Sequence, residues 1–212
     1  MEIREIRPED ARGAALVHME GQPGTFLTSL GETFLTTLYH VLADSPWGYG
    51  YVAVEGDEVL GVVVATTDTH TMFKQFLTRQ GPHLFFPVLC QILKDPSLIG
   101  KIIQTLFYPG KLESQHGEAE FLFMGVSAKA RRQHIASQLL DTLIEGTRRR
   151  GATALLSTVD AGNPVSNAMH VKRPFILIKT FDLYGRKMNL YSYPYPENKP
   201  EVASRKEEAQ KG

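Results

Sequence analysis

Val126-Ser127-Ala128-Lys129-Ala130-Arg131-Arg132-Gln133-His134-Ile135-Ala136-Ser137-Gln138-Leu139-Leu140 is the stretch from which the rest of the chain can be placed. It reads as a strand end, a short turn carrying two arginines, and the start of a helix. That helix is expected over about 131–150, where Ile135, Leu139, Leu140, Leu143, Ile144 and Thr147 recur at helical spacing before Gly151 stops it. A turn that opens a helix presents backbone N–H groups with no intrahelical partner. An anion such as a pyrophosphate gains charge-assisted hydrogen bonds there, and Arg131 and Arg132 add countercharge. Arginine at a helix start has the wrong sign for the helix dipole, which favours the anion site. The other reading is a plain surface helix with a basic first turn.

Working outward, Glu118 to Val126 is a β-rich run leading into the turn. Ahead of it lie a strand at Ile3–Arg7, helices at about 11–19 and 29–42, and two strands at 49–54 and 59–67 joined by a Gly56-Asp57 turn. Beyond the long helix come a strand at 152–159, the loop Asp160-Ala161-Gly162-Asn163-Pro164, a short helix at 165–172, and strands at 175–182 and 187–193. This order implies an α/β (α+β) architecture: a mixed central β-sheet with helices on both faces. A helical insertion, 70–117, falls between the third and fourth strands. It is expected as three short helices divided by Gly81-Pro82 and Asp95-Pro96, and it is unusually apolar. Residues 1–194 are expected to form a single domain around it, and 195–212 a disordered tail.

The charges balance, 23 basic against 23 acidic, and no long block of one sign occurs, so the footprint of a nucleic-acid binder is missing. Cys90 is the only cysteine, which excludes an intramolecular disulfide. It sits in an apolar run and reads as a buried structural thiol rather than a nucleophile. The charged N-terminus lacks the apolar centre of a signal peptide, and a cytoplasmic address is expected. No uninterrupted apolar stretch approaches the ~18–20 residues that span a bilayer. His70, His83 and His116 lack metal-ligand spacing, so no metal is expected.

The turn resembles the acyl-CoA loop of the GNAT superfamily of N-acetyltransferases, Arg/Gln-x-x-Gly-x-Gly/Ala. Arg131-x-x-His134-x-Ala136 matches at its first and last positions and departs at the middle one. Met124-Gly125-Val126 resembles the strand end that bonds the pantetheine arm in that family. Asn163-x-x-Ser166-x-x-x-His170-x-x-x-Pro174-Phe175 stands at the spacing of a downstream family pattern that carries a tyrosine where His170 stands. Phe181-x-x-Tyr184-Gly185-x-x-Met188 is similar to the family's ending. The resemblance covers roughly 1–69 and 118–193.

It implies acetyl-CoA as acyl donor, held by Met124, Gly125, Val126, Arg131, Arg132, Gln133, His134, Ile135, Ala136, Ser137 and Asn163. It implies N-acyl transfer to a small-molecule amine by direct attack. His170 would replace the tyrosine that protonates the leaving thiolate, or pack on its helix without chemistry. Glu120, alternating with Glu118 on its strand, is the candidate base; both also suit a solvated edge. Asp160 and His18 are further candidates for the acceptor side. The departures at His134 and His170 leave open a catalytically silent CoA-binding or interaction module of the same fold. The insertion has several readings: docking on the core, a homodimer interface, a lid, a hydrophobic acceptor site, or peripheral contact with a membrane surface through Phe85 and Phe86.

Overall fold

The structure, a computed structural model, describes residues 1–106, 117–183 and 185–198. Its strands are β1 (Glu2–Glu5), β2 (Gly48–Glu55), β3 (Glu58–Thr66), β4 (Glu118–Val126), β5 (Ala154–Asp160), β6 (Ile176–Leu183) and β7 (Arg186–Pro194). Its α-helices are α1 (Ala11–Gly21), α2 (Phe26–Ser29), α3 (Glu32–Asp44), α4 (Thr69–Lys94), α5 (Leu98–Leu106), α6 (Ile135–Arg149) and α7 (Pro164–Val171).

The seven strands form one sheet in the order β1-β2-β3-β4-β5-β7-β6. Every neighbouring pair is antiparallel except β4 and β5. One face packs on α1 and α3 through Ala14, Val17, Leu35, Tyr39 and Leu42. The other packs on α6 through Ile135, Leu139, Leu140 and Leu143, the stripe legible in the sequence. With both faces covered, β2 and β3 are almost continuously buried, which is why they read as apolar runs without clear alternation.

The parallel pair is the feature that shapes the site. β4 and β5 are paired only from Glu118↔Ala154 to Phe121↔Ser157. Beyond that point β4 stays with β3 and β5 stays with β7, so the two strands part and open a wedge. A β-bulge sits at the fork: Val64 faces Phe123 and Ala65 faces Phe121, which leaves Leu122 extra. The extra residue reverses the alternation. Phe121 and Met124 pack into the α6-side core, whereas Phe123 packs into the α1–α3 side.

Two boundaries differ from the sequence expectation. The Gly81-Pro82 pair does not divide the insertion, and α4 runs unbroken for 26 residues with Pro82 and Pro87 inside it. Met72 and Phe76 before the prolines and Leu84 after Pro82 are all buried, and this shared packing outweighs the lost N–H bond. The chain also remains packed past 194. The Tyr195 hydroxyl donates to the Ile144 carbonyl at 2.9 Å, and Asn198 Nδ2 donates to the Arg148 and Ala152 carbonyls at 2.8 and 3.0 Å. The rest of the expected tail, 199–212, lies outside the described residues, as do the end of the expected insertion at 107–116 and Tyr184. Cys90 is half-buried rather than fully enclosed.

Candidate active site

The loop after β4 is pinned at both ends. Ser127 donates its N–H to the Leu60 carbonyl at 2.8 Å, and Ala130 and Ile135 are buried. The four residues between them, Arg131, Arg132, Gln133 and His134, are exposed. Two of these have left-handed backbones, Arg132 with φ 63° and His134 with φ 61°. That conformation corrects the helix start from 131 to Ile135, because neither residue can belong to a right-handed helix. It also supplies a reason for the family's glycine: the middle position of the motif requires positive φ, which costs glycine nothing and which histidine adopts more readily than most residues. The left-handed His134 followed by the right-handed Ile135 turns successive N–H groups toward one concavity, a nest suited to an anion. His134 is the N-cap of α6 and makes no side-chain cap bond.

Glu20, near the end of α1, braces this loop from below. Its Oε1 accepts the Ala128 N–H at 2.9 Å. That bond, then one from the Ser127 side chain, and weaker attraction to Arg131 and Lys129 hold the carboxyl below its ordinary pKa. Lys129 is paired with Glu58, so its charge is partly spent inside the protein. Arg131 and Arg132 form no ion pair among the described residues. Glu20 was not singled out in the sequence; nothing in its spacing connects it to a loop more than a hundred residues later.

Met124, Gly125 and Val126, past the last residue of β4 paired with β5, form the β4 wall of the wedge. Gly125 is where α1 comes closest to the strand. A Cβ there would lie 2.7 Å from the Phe123 ring and 3.3 Å from the Val17 side chain. A larger residue there would have to displace the Phe123 ring and crowd Val17 of α1.

On the opposite side of the sheet from α6, Glu120 is buried and accepts a hydrogen bond at Oε2 from the Thr69 hydroxyl. Glu120, Leu122 and Phe123 share this face, because the bulge places the two neighbours Leu122 and Phe123 on the same side. His18 stacks on Phe123 with ring centroids 3.9 Å apart and planes within 14°. Its Nδ1 lies 2.9 Å from the Tyr39 hydroxyl. Among the described residues Nε2 of His18 is the one buried side-chain polar atom without a partner. Burial lowers the His18 pKa to about 4, so the ring is neutral at physiological pH. Thr69, Tyr39 and Phe123 carry no signal in the sequence, since each reads as an ordinary element residue until the bulge is known.

His170 lies at the root of the wedge, 1% exposed. It is enclosed by Phe121, Phe175 and Tyr191, with ring centroids 6.2, 4.6 and 5.0 Å away. Its Nδ1 is 2.8 Å from the Ser166 carbonyl and its Nε2 2.8 Å from the Ser157 hydroxyl. A carbonyl only accepts, so Nδ1 carries the proton and Nε2 accepts from Ser157. Both nitrogens are therefore engaged, and Ser157 is the last β5 residue paired with β4. Burial foremost, with Arg173 adding a smaller effect, lowers the His170 pKa against the opposing Ser166 bond. His170→Phe should fill a similar volume yet leave the Ser157 hydroxyl and Ser166 carbonyl without this partner, at a cost of about 2 kcal/mol. Chemical denaturation checks that figure and its pH dependence. The unfolded imidazole titrates at its ordinary pKa and the folded one lower, so His170 stabilises fully above that ordinary value. Its contribution falls as pH drops toward the folded pKa, and the variant should lose this part of the acid sensitivity.

Asn163 caps α7: its Oδ1 accepts the Ser166 N–H at 3.0 Å. Asn167, one turn later, is the larger hub. Its Nδ2 donates to the Asp160 and Asn163 carbonyls at 2.9 and 2.7 Å, and its Oδ1 accepts from Asn189 and the Tyr191 hydroxyl, both at 2.9 Å. It ties together β5, α7 and β7, the second wall of the wedge. Asp160 is paired with Arg186 at 3.2 Å. A separate groove of about 520 Å3 lies between α1 and the β2–β3 turn, edged by Glu20, Glu55, Asp57 and Glu58. Among the described residues no group of His, Cys, Asp or Glu side chains is arranged to hold a metal.

These features define an architecture: a wedge between two parting parallel strands, with an anion nest at the head of the following helix. The sequence profile of the acetyltransferase (GNAT) family matches residues 23–175. The chain belongs to that family. No curated protein sequence matches it. Among solved structures it is similar to the ribosomal-protein-alanine N-acetyltransferase of Brucella melitensis, at 17% identity and TM-score 0.60, covering 92% of this chain and 100% of that one. It is similar to an N-acetyltransferase of Staphylococcus aureus Mu50, at 19% identity and TM-score 0.59 over 91% and 97% of the two chains. It is also similar to Arabidopsis thaliana NAA60 in complex with a bisubstrate analogue, at 14% identity and TM-score 0.57 over 91% and 97%. At these identities the likeness is one of fold.

Proposed function

We propose that the protein transfers an acetyl group from acetyl-CoA to the amine of a small molecule, within a single domain that includes residues 1–194 and the packed segment up to Asn198. The observation that carries this reading is the continuity of the wedge with the nest at Arg131–His134. The residues present fit the donor. The diphosphate would lie on the N–H groups of Gln133 to Ser137, with Arg131 and Arg132 as countercharge and His134 and Ile135 shaping the turn. The pantetheine amides would bond the free edge of β4 at Met124–Val126, with the Asn163 region on the facing side. Acetyl-CoA supplies an activated thioester carbonyl.

The protein's part is to position and to move one proton. The amine nitrogen, neutral, attacks the carbonyl carbon; the N–C bond forms and the C–S bond breaks. Glu120, directly or through a water, takes the proton the nitrogen loses. The thiolate of CoA leaves and is protonated by solvent. His170 is a positioning residue in this reading, not the acid: its proton is committed to Ser166, and its ring fixes the strand separation at Ser157. Of the two roles the sequence leaves open for His170, proton donor or packing residue, this reading takes the second.

The relatives' names add a second acceptor class. Two similar structures are named as enzymes acting on ribosomal-protein alanine, so a protein N-terminal amine belongs in the same assay. Free-thiol release from acetyl-CoA, followed across small amines and short peptides with free N-termini, tests the proposal. Turnover with a small amine supports it. Turnover with peptides alone would move the acceptor to the protein class, and no release with any acceptor despite acetyl-CoA binding would favour the silent module.

A further inference from the structure

We infer that the outer face of α4 and α5 docks on the surface of an anionic lipid bilayer. α4 has two sides. Met72, Phe76 and Leu84 are buried, and Phe76 meets Phe34 edge-on at 5.5 Å. From Phe85 onward the other side is apolar as well. Phe85, Leu89 and Leu93 recur at every fourth position with Phe86 beside them, and Phe85, Phe86 and Leu93 are 68%, 71% and 75% exposed. α5 repeats the arrangement: Leu98 is buried, and Ile99 and Ile103, four apart, are half exposed. Apolar side chains scattered singly on a surface mean little, but a stripe continuing over two helices marks an interaction face.

The charges identify what it meets. The whole chain carries equal numbers of basic and acidic residues. Residues 69–106 depart from that balance, with Lys74, Arg79, Lys94 and Lys101 against Asp95 alone. On an ideal helix Phe85, Phe86, Leu89 and Leu93 fall within an arc of about 100°, with Lys74 and Arg79 at its two borders and the exposed Lys94 further round in the last turn. An apolar face bordered by cations suits a headgroup layer that offers apolar depth and negative charge together. A second copy of the chain fits less well, because a two-fold contact would bring the same cations face to face. The helices would lie along the surface: among the described residues none is long and apolar enough to cross a membrane.

Flotation of the full chain with vesicles tests this without any acetyl-transfer readout, so its outcome is independent of the reaction proposed above. Vesicles of phosphatidylcholine and phosphatidylglycerol in equal parts are compared with phosphatidylcholine alone. The protein is expected to float with the anionic vesicles and to leave them as salt is raised. Partitioning should fall ~10-fold in Phe85→Ser/Phe86→Ser and by a similar factor in Lys74→Glu/Lys94→Glu. These side chains are on the surface, and thermal melts establish that the variants are folded. Absence of binding to anionic vesicles overturns the inference. Binding unchanged in both folded variants also overturns it. So does a vesicle-free dimer, seen by sedimentation, that Phe85→Ser/Phe86→Ser dissolves, since the face then belongs to a second copy.

Discussion

Replacing Glu120 with glutamine is expected to lower kcat by about 10²–10⁴-fold while leaving acetyl-CoA affinity unchanged. Glutamine keeps the shape and the oxygen that accepts the Thr69 hydroxyl bond, so the joint between β4 and α4 survives. What it removes is the lone pair that can take a proton from the attacking amine. Glu120 lies on the α1–α3 face of β4, across the sheet from α6 and the nest. That separation lets donor and acceptor approach the fork from different sides. Steady-state kinetics with a saturating acceptor, beside calorimetry with acetyl-CoA, separates the two effects. A kcat within threefold or so of the wild type would remove Glu120 from proton transfer and return that role to water.

Reversing the loop charges, Arg131→Glu/Arg132→Glu, is expected to raise the acetyl-CoA KM by about 100-fold with a smaller effect on kcat. Each arginine is exposed, and the loop is pinned independently by buried Ala130 and Ile135, so the fold should tolerate the change. The diphosphate does not react. Loss of its contacts therefore weakens donor binding in the ground and transition states alike, which appears in KM. An unfolded variant would show itself in the melt. A folded variant with unchanged KM would place the diphosphate elsewhere.

The sequence carried the architecture well because its strongest signals are local. The limits of β4, Glu118 to Val126, and the apolar stripe of α6 follow from composition and period alone. The helix start at Ile135 did not, because a left-handed backbone at Arg132 and His134 leaves no mark when neither residue is glycine. The bulge at Leu122 was equally silent. Both faces of β4 are covered, so an inserted residue changes which face each side chain meets without changing how apolar the run looks. That one residue decides that Phe123 meets His18. The unbroken α4 shows tertiary packing overriding a Gly-Pro signal. His170 shows the other limit: family spacing singled it out, but only the structure gives its place at the fork and its two hydrogen bonds. Asn167, four residues after the asparagine that the motif picked out, is the side chain that holds the second wall.

The central claim is that the nest and wedge form one acetyl-CoA site. Titration calorimetry of the wild-type protein with acetyl-CoA, alongside Arg131→Glu/Arg132→Glu, tests it most directly. The structure predicts one-to-one binding by the wild type and affinity about 100-fold weaker in the folded variant. No heat of binding at millimolar acetyl-CoA, or equal affinity in the two proteins, would contradict it.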